Sequence, residues 1–269
     1  MKKLVIILTL VLVLFGCAKK PVDNTTVKVA ATLDPHSKIL EAAKPILKEE
    51  FNLDLEIIVM DDYYIFNRAL DSKEVDANYF QHVPFFEDEI KNKGYKIENV
   101  AGIHIEPFGF YSKKIKNITE LKEGSKIIIS NSIADHGRIL KMLQEANLIK
   151  LKDNVDLTKS SFNDIIENKL KLEFVEIKPE LLTVALRNNE GDLVAINGNY
   201  AIAEGLDPSK DALILEKATS DNPYVNILAC HKDDVNSDKI KALIKVLKGD
   251  KIKDFINKTY TNKSVIVAE

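Results

Sequence analysis

Cysteine is scarce in this chain, with only Cys17 and Cys230 in 269 residues. Cys17 falls at the end of an N-terminal leader, so Cys230 has no mate and no disulfide framework is available. The five histidines form no His-x-His pair, His-rich loop or His-Glu-x-x-His motif. Gly-x-Ser-x-Gly and the phosphate-binding glycine loop are missing too. Ser, His and Asp occur in no arrangement that pairs a nucleophile with a base, which argues against an enzyme, and no cofactor motif is present. Positive charge is not in excess: 38 Lys and Arg stand against 41 Asp and Glu, for a net charge of −3. Nucleic acid is therefore not an expected partner, because its binding needs a basic footprint. There is no internal repeat, and past the leader no apolar run is long enough to span a membrane.

The leader itself is well marked. Lys2 and Lys3 precede an apolar run from Leu4 to Phe15, followed by Gly16-Cys17. A basic start, a short apolar stretch and a small residue before the cut describe a secretory signal over 1–16. Leu14-Phe15-Gly16-Cys17 resembles a bacterial lipobox, in which the cysteine becomes the lipidated first residue. Residues 17–26 lack apolar periodicity and read as a lipidated tether. The expected product is a domain held by its lipid on the extracytoplasmic face of the cell membrane. Cys230, beside the apolar Val225–Ala229 stretch, reads as a structural thiol.

From Val27 onward, strand-like and helix-like patterns alternate. Val27–Thr32, Leu55–Met60, Ile97–Ile105, Lys126–Ile129, Leu172–Ile177, Leu193–Ile196 and Tyr224–His231 read as strands. Between them, Ile39, Leu40, Ala43 and Leu47 mark one amphipathic helix, and Tyr63, Phe66 and Leu70 another, capped by Asp61-Asp62. A further helix is expected from about Gly137, and two more near the end of the chain. This alternation predicts an α/β protein with mainly parallel sheets covered on both faces.

The most distinctive stretch is Asp76-Ala77-Asn78-Tyr79-Phe80-Gln81-His82-Val83-Pro84-Phe85-Phe86. Val75 and Ala77 alternate with Asp76 and Asn78 as in a short strand, and Pro84 suits the first turn of a helix. The aromatics are thus expected on a strand-to-helix turn, where open α/β sheets place ligand groups. On composition alone Phe80, Phe85 and Phe86 could equally be core. The run Asp-Ala-Asn-Tyr-Phe-Gln-His-x-Pro closely resembles a signature of the NlpA lipoprotein family, the methionine-binding solute receptors of ABC importers.

That resemblance implies a two-lobed type II periplasmic-binding fold in which the chain crosses twice between lobes. Lobe 1 would comprise 27–110 and 226–269, lobe 2 would comprise 111–225, and the ligand would lie in the cleft. It also implies roles for particular residues. Arg138, ending a Gly-Arg motif, would bind the carboxylate of an amino acid; a turn entering a helix already favours an anion, and a guanidinium can grip one with two parallel bonds. Asn197 and Asn226, at strand ends, would bond the ligand's polar groups. Tyr63, Phe80, His82 and His104 would form the opposite wall, with sulfur–ring contacts to an unbranched thioether. Each of these polar residues also has an ordinary structural reading, as a surface arginine, a turn amide or a satisfied histidine. Tyr111 lies near the crossing and could face the cleft or the hinge. The chain departs from the family pattern by lacking two prolines and a threonine at 130–136 and by carrying Phe66 where a proline is usual. A loop of different shape is therefore expected at 130–136.

The first expectation is thus a receptor that captures L-methionine, or a close derivative, and delivers it to an ABC permease with its ATPase subunit. Another apolar amino acid or a methionine-containing dipeptide is the alternative ligand. A metal receptor using His82, His104 and Glu106 is a second class, weakened by the missing histidine and cysteine clusters.

Overall fold

The structure is a computed structural model that describes residues 25–156, 160–217, 219 and 222–268. The signal segment 1–16, Cys17 and all but the last two residues of the tether lie outside the described residues. The chain opens with β1 (Thr26–Ala31), one turn at Leu33–Ser37, α1 (Lys38–Phe51) and β2 (Asp54–Val59). The stripe Ile39, Leu40, Ala43 and Leu47 is the buried face of α1. Next comes α2 (Tyr63–Asp71), whose cap is Asp62: its side chain accepts the Tyr64 N–H at 2.9 Å. Then follow β3 (Ala77–His82), α3 (Val83–Lys93) and β4 (Ile97–Ile105).

The distinctive stretch at 76–86 spans a strand end and a helix start. The strand-to-helix junction falls inside the aromatic stretch, as expected: Tyr79 and Phe80 lie in β3, which pairs with β1 out to Tyr79 and with the returning strand out to His82, and Phe85 and Phe86 lie in the first turn of α3. The turn begins only at His82, which caps α3 by accepting the Phe85 N–H at Nδ1, 3.2 Å away.

After β4 come β5 (Gly109–Tyr111), β6 (Lys126–Ser130), α4 (Ile133–Glu145), the short pair β7 (Lys150–Leu151) and β8 (Ile165–Glu167), and β9 (Glu173–Ile177). The second unit closes with α5 (Leu182–Arg187), β10 (Leu193–Ile196), α6 (Gly198–Ala203), α7 (Pro208–Asp211) and β11 (Ile214–Leu215). Helix α4 starts one turn earlier than expected. No proline interrupts 130–136, and Ala134, Asp135 and His136 are all buried on it. Arg138 therefore sits in the second turn, away from the free N–H groups of the helix start. The chain then returns through β12 (Val225–His231), α8 (Asp238–Leu247), α9 (Asp250–Thr259) and β13 (Ile266–Val267).

One sheet has the order β13-β4-β12-β3-β1-β2 and the other β11-β5-β10-β6-β9. In the first, β1 to β4 run one way, and the returning β12 enters between β3 and β4 against them, as does β13 at the edge. In the second, only β5 opposes its neighbours. The boundaries expected at 110/111 and 225/226 cut β5 and β12. By sheet membership the chain passes to the second sheet within 106–108 and returns within 216–224.

One apolar core packs α1, α8 and α9 on the first sheet, and another packs α4 on the second. A third joins the two units, with Tyr63, Phe66, Phe80 and Phe85 against Leu182, Ile196, Tyr200 and Ala201. Cys230 is buried in the first core, and burial pushes its thiol up to about 12, as expected of an inert structural cysteine. Among the described residues, no helix is long and apolar enough to cross a membrane.

Candidate functional site

Strand ends and helix starts from both sheets converge on one small cavity. Its lining includes Tyr63, Phe80, His82, Arg138, Asn197 and Asn226, six of the seven residues singled out from sequence, together with Glu106 and Asn199. The seventh, His104, stands behind Glu106, to which its Nε2 is bonded at 2.8 Å. The cavity measures about 20 Å³, roughly the room one water needs, so its walls must part to admit anything larger. A larger hollow of about 570 Å³ opens beside β7 and β8, but surface residues such as Gln144, Asn147 and Lys152 line it, not the buried polar set.

The apolar wall comes from α2, β3 and α3. Phe80 stacks on Phe66 with centroids 4.0 Å apart, and Tyr63 tilts against Phe80 at 5.7 Å and Tyr200 at 5.0 Å. Tyr63 also reaches the other unit by donating its hydroxyl to Asn199 Oδ1. Tyr111 does not enter the cavity. It packs in the apolar core shared by the two units, its hydroxyl buried without a partner among the described residues. His136 likewise turns inward, with Nε2 3.0 Å from the Ser130 carbonyl.

The polar wall is organised around Asp135, which sequence reasoning did not single out. One of its oxygens meets His82 Nε2 at 3.0 Å across the cleft, and the other accepts from Asn197 Nδ2 at 3.1 Å. Burial alone would raise this carboxyl, but the His82 contact, the Arg138 charge and the Asn197 bond outweigh it and hold it below the usual range. Arg138 lies three residues on, its guanidinium 4.2 Å from the Tyr224 ring centre and 4.9 Å from that of Phe108. Its two-pronged face is already taken: Nε and Nη2 meet the Glu216 carboxylate, and Nη2 also donates to the Glu106 carbonyl at 3.1 Å. Nη1 stands 3.9 Å from Asp135 Oδ1, beyond hydrogen-bond reach. Burial opposes the charge on Arg138, yet the Glu216 carboxylate raises its pKa overall.

Behind the cavity, Thr32 Oγ1 bonds His36 Nδ1 at 2.6 Å, and His36 Nε2 lies 3.0 Å from Asn226 Oδ1. Tyr79 bonds His104 Nδ1 in the same way. Burial drives both rings toward the neutral form, His36 to about 4 and His104 to about 3, and it raises Glu106. Glu106 is pressed against Gly198, where an added Cβ would lie 2.6 Å from the Glu106 Cβ, so this contact requires glycine. His36, His104 and Glu106 form the one described group able to offer a metal three ligand atoms, all within 4.8 Å of one another. His82, expected in such a set, bonds Asp135 instead, and His36 takes its place.

Asp135 was legible as an acid at i−3 from Arg138 on one helix, and Glu106 as a neighbour of His104. Glu216 and His36 carry no such signal, since only the fold brings them in.

A buried polar cleft fed by two α/β units with crossing connections defines a two-lobed periplasmic binding protein. The chain belongs to the NlpA lipoprotein family, whose pattern matches residues 27–268. It is 48% identical over 242 residues to the methionine-binding lipoprotein MetQ of Bacillus subtilis (strain 168), covering 90% of this chain and 88% of that one. It is 35% identical over 254 residues to the D-methionine-binding lipoprotein MetQ of Salmonella typhi, covering 94% and 93%. Among solved structures, a nutrient binding protein from Burkholderia cenocepacia bound to methionine superposes with a TM-score of 0.84, at 34% identity, over 90% of this chain and 100% of that one.

Proposed function

We propose that this protein is the methionine receptor of an ABC importer, lipid-anchored at Cys17 on the extracytoplasmic face of the membrane, and that it catalyses no reaction. Its two lobes correspond to the two sheets, joined at 106–108 and 216–224. Residues of both lobes meet at the cavity: Tyr63, Phe80 and His82 from the first, Arg138 and Asn197 from the second, with Asn226 on the returning strand. A ligand touching both lobes favours the closed form, because only that form offers all the contacts. The closed receptor then presents methionine to a membrane permease driven by an ATPase.

The observation that carries this reading is the convergence of an aromatic wall and a buried Arg–Asp–Asn cluster on one cavity, in a chain of the NlpA family. Tyr63 and Phe80 suit a flexible thioether. Arg138 Nε and Nη2 are held on Glu216, so the ligand's carboxylate is assigned to Nη1.

Mass spectrometry of small molecules released by denaturing the as-purified protein tests this, followed by titration of refolded protein with L- and D-methionine. Methionine in the extract and saturable binding of at least one hand are expected. No binding of either hand by correctly refolded protein contradicts it. For the anchor, the expected outcome is that Cys17→Ser releases the protein from membranes; mature membrane-bound protein with an unmodified Cys17 would refute lipidation.

A further inference from the structure

The two cavity asparagines are held in opposite senses, and the residues that hold them, Asp135 and the Thr32–His36 pair, are not among those lining the cavity. An ionised carboxylate can only accept hydrogen bonds. Asp135 Oδ2, 3.1 Å from the Asn197 side chain, must therefore face its Nδ2. That fixes Asn197 Oδ1 on the other side, and this oxygen is buried without a partner among the described residues. Asn226 is set the other way. His36 Nε2 stands 3.0 Å from its amide and 3.4 Å from Glu106 Oε1. The carboxylate requires a hydrogen on Nε2, which leaves Nδ1 bare to accept from the Thr32 hydroxyl at 2.6 Å. With Nε2–H donating, Asn226 presents Oδ1 to His36, and its Nδ2 is the group left for the cavity that it lines.

We propose that Asp135 and the Thr32–His36 pair are positioning residues that lock Asn197 as an acceptor for the ligand's ammonium and Asn226 as a donor to its carboxylate. The preferred substrate class is then a free α-amino acid, both of whose charged ends are read. A ligand that replaces the carboxylate by a carboxamide, or that lacks the amino group, mismatches one locked asparagine. An unlocked Asn226 could rotate and present its oxygen to a carboxamide, so the lock itself sets the discrimination.

This inference rests on the methionine reading, and one set of titrations separates the two. Refolded full-domain protein is titrated with methionine, methioninamide and the des-amino analogue 4-(methylthio)butanoate. The wild type should prefer methionine over each analogue by at least about a hundredfold. In His36→Phe the methionine-to-methioninamide ratio should fall by about tenfold, and in Thr32→Val, which keeps the imidazole and loses only the hydroxyl, by about threefold. A defect in folding or packing alone would weaken both ligands equally and leave the ratio unchanged. Asn197→Ala should weaken methionine by at least about tenfold while leaving the des-amino analogue within about twofold. If the wild type binds no methionine, the functional reading falls first. If it binds methionine but both His36→Phe and Thr32→Val keep the wild-type ratio, or Asn197→Ala weakens both ligands alike, the positioning roles are overturned.

Discussion

Asn67, Asn78 and Gln81 on one side, and Asp135, Arg138, Asn197 and Asn226 on the other, are two buried polar clusters that meet strand β3 through Gln81 and His82. The first closes on itself. Asn67 Oδ1 accepts from Asn78 and Gln81, Gln81 Oε1 accepts from Asn67, and Asn78 Oδ1 accepts from Gln81, at 2.8 to 3.1 Å. All three residues belong to the first unit. The second cluster draws on both units and does not close: Asn197 Oδ1 has no partner among the described residues, and Arg138 Nη1 reaches Asp135 only at 3.9 Å. Burying polar groups is tolerable where each finds a partner, and an orphaned one costs roughly 1–3 kcal/mol. A closed cluster thus belongs to the fold, whereas an open one beside a cavity marks a place for a ligand.

The sharpest break in this comparison comes at Arg138. Arg138→Ala removes the cationic donor and leaves the part-buried Glu216 carboxylate without its guanidinium. Methionine affinity should fall by at least about a hundredfold, roughly 3 kcal/mol. Arg138→Lys should recover only part, because a point charge cannot replace the planar fork. Calorimetry on refolded protein with matched circular dichroism spectra checks both.

The amide cluster should respond in the opposite way. Asn67→Ala leaves Gln81 Oε1 and Asn78 Nδ2 without their partner and should cost about 2–3 kcal/mol in urea unfolding. Methionine affinity of the folded protein should change by less than about twofold. A large loss of affinity at unchanged stability would erase the distinction between the clusters.

Acidification separates the regions as well. His36 and His104 are held neutral, down to about 4 and about 3, whereas their unfolded forms take up protons near 6.5. The unfolded state therefore binds more protons between those values, and stability falls as pH drops through 6.5 towards 4. At pH 5 each ring should cost about 2 kcal/mol, opposed in part by Glu106, whose raised pKa acts with the other sign. Urea titrations at pH 7.5 and 5 should show the loss, and His104→Asn should reduce it. The smallest effect is expected at the apolar wall: Phe80→Leu should cost about 1 kcal/mol in affinity and relax discrimination among apolar side chains, as competition titrations with leucine and norleucine would reveal.

Much of this was readable in the chain. The buried faces of α1 and α2 follow from apolar spacing, and Asp62 was a visible cap for α2. The Asp76–Phe86 stretch signalled the site but not its division, since Asn78 serves the amide cluster, Phe80 and His82 line the cavity, and Gln81 does both. A period-2 pattern shows which residues share a face, not which partners the fold brings opposite them. Arg138 was found by its motif, yet its position in the second turn of α4 was missed because the helix start was placed too late. Glu216 and His36 were invisible for a different reason: each acts through a contact at least 70 residues away in the chain.

The most direct test is a crystal structure of the refolded protein saturated with methionine. The account predicts one methionine between the two sheets, its side chain against Tyr63 and Phe80, its ammonium at Asn197 Oδ1 and its carboxylate facing Arg138 Nη1 and Asn226 Nδ2, with the Asn67–Asn78–Gln81 bonds unchanged. Methionine bound in the hollow beside β7 and β8, or in the cleft with its carboxylate away from Arg138 and Asn226, would contradict it.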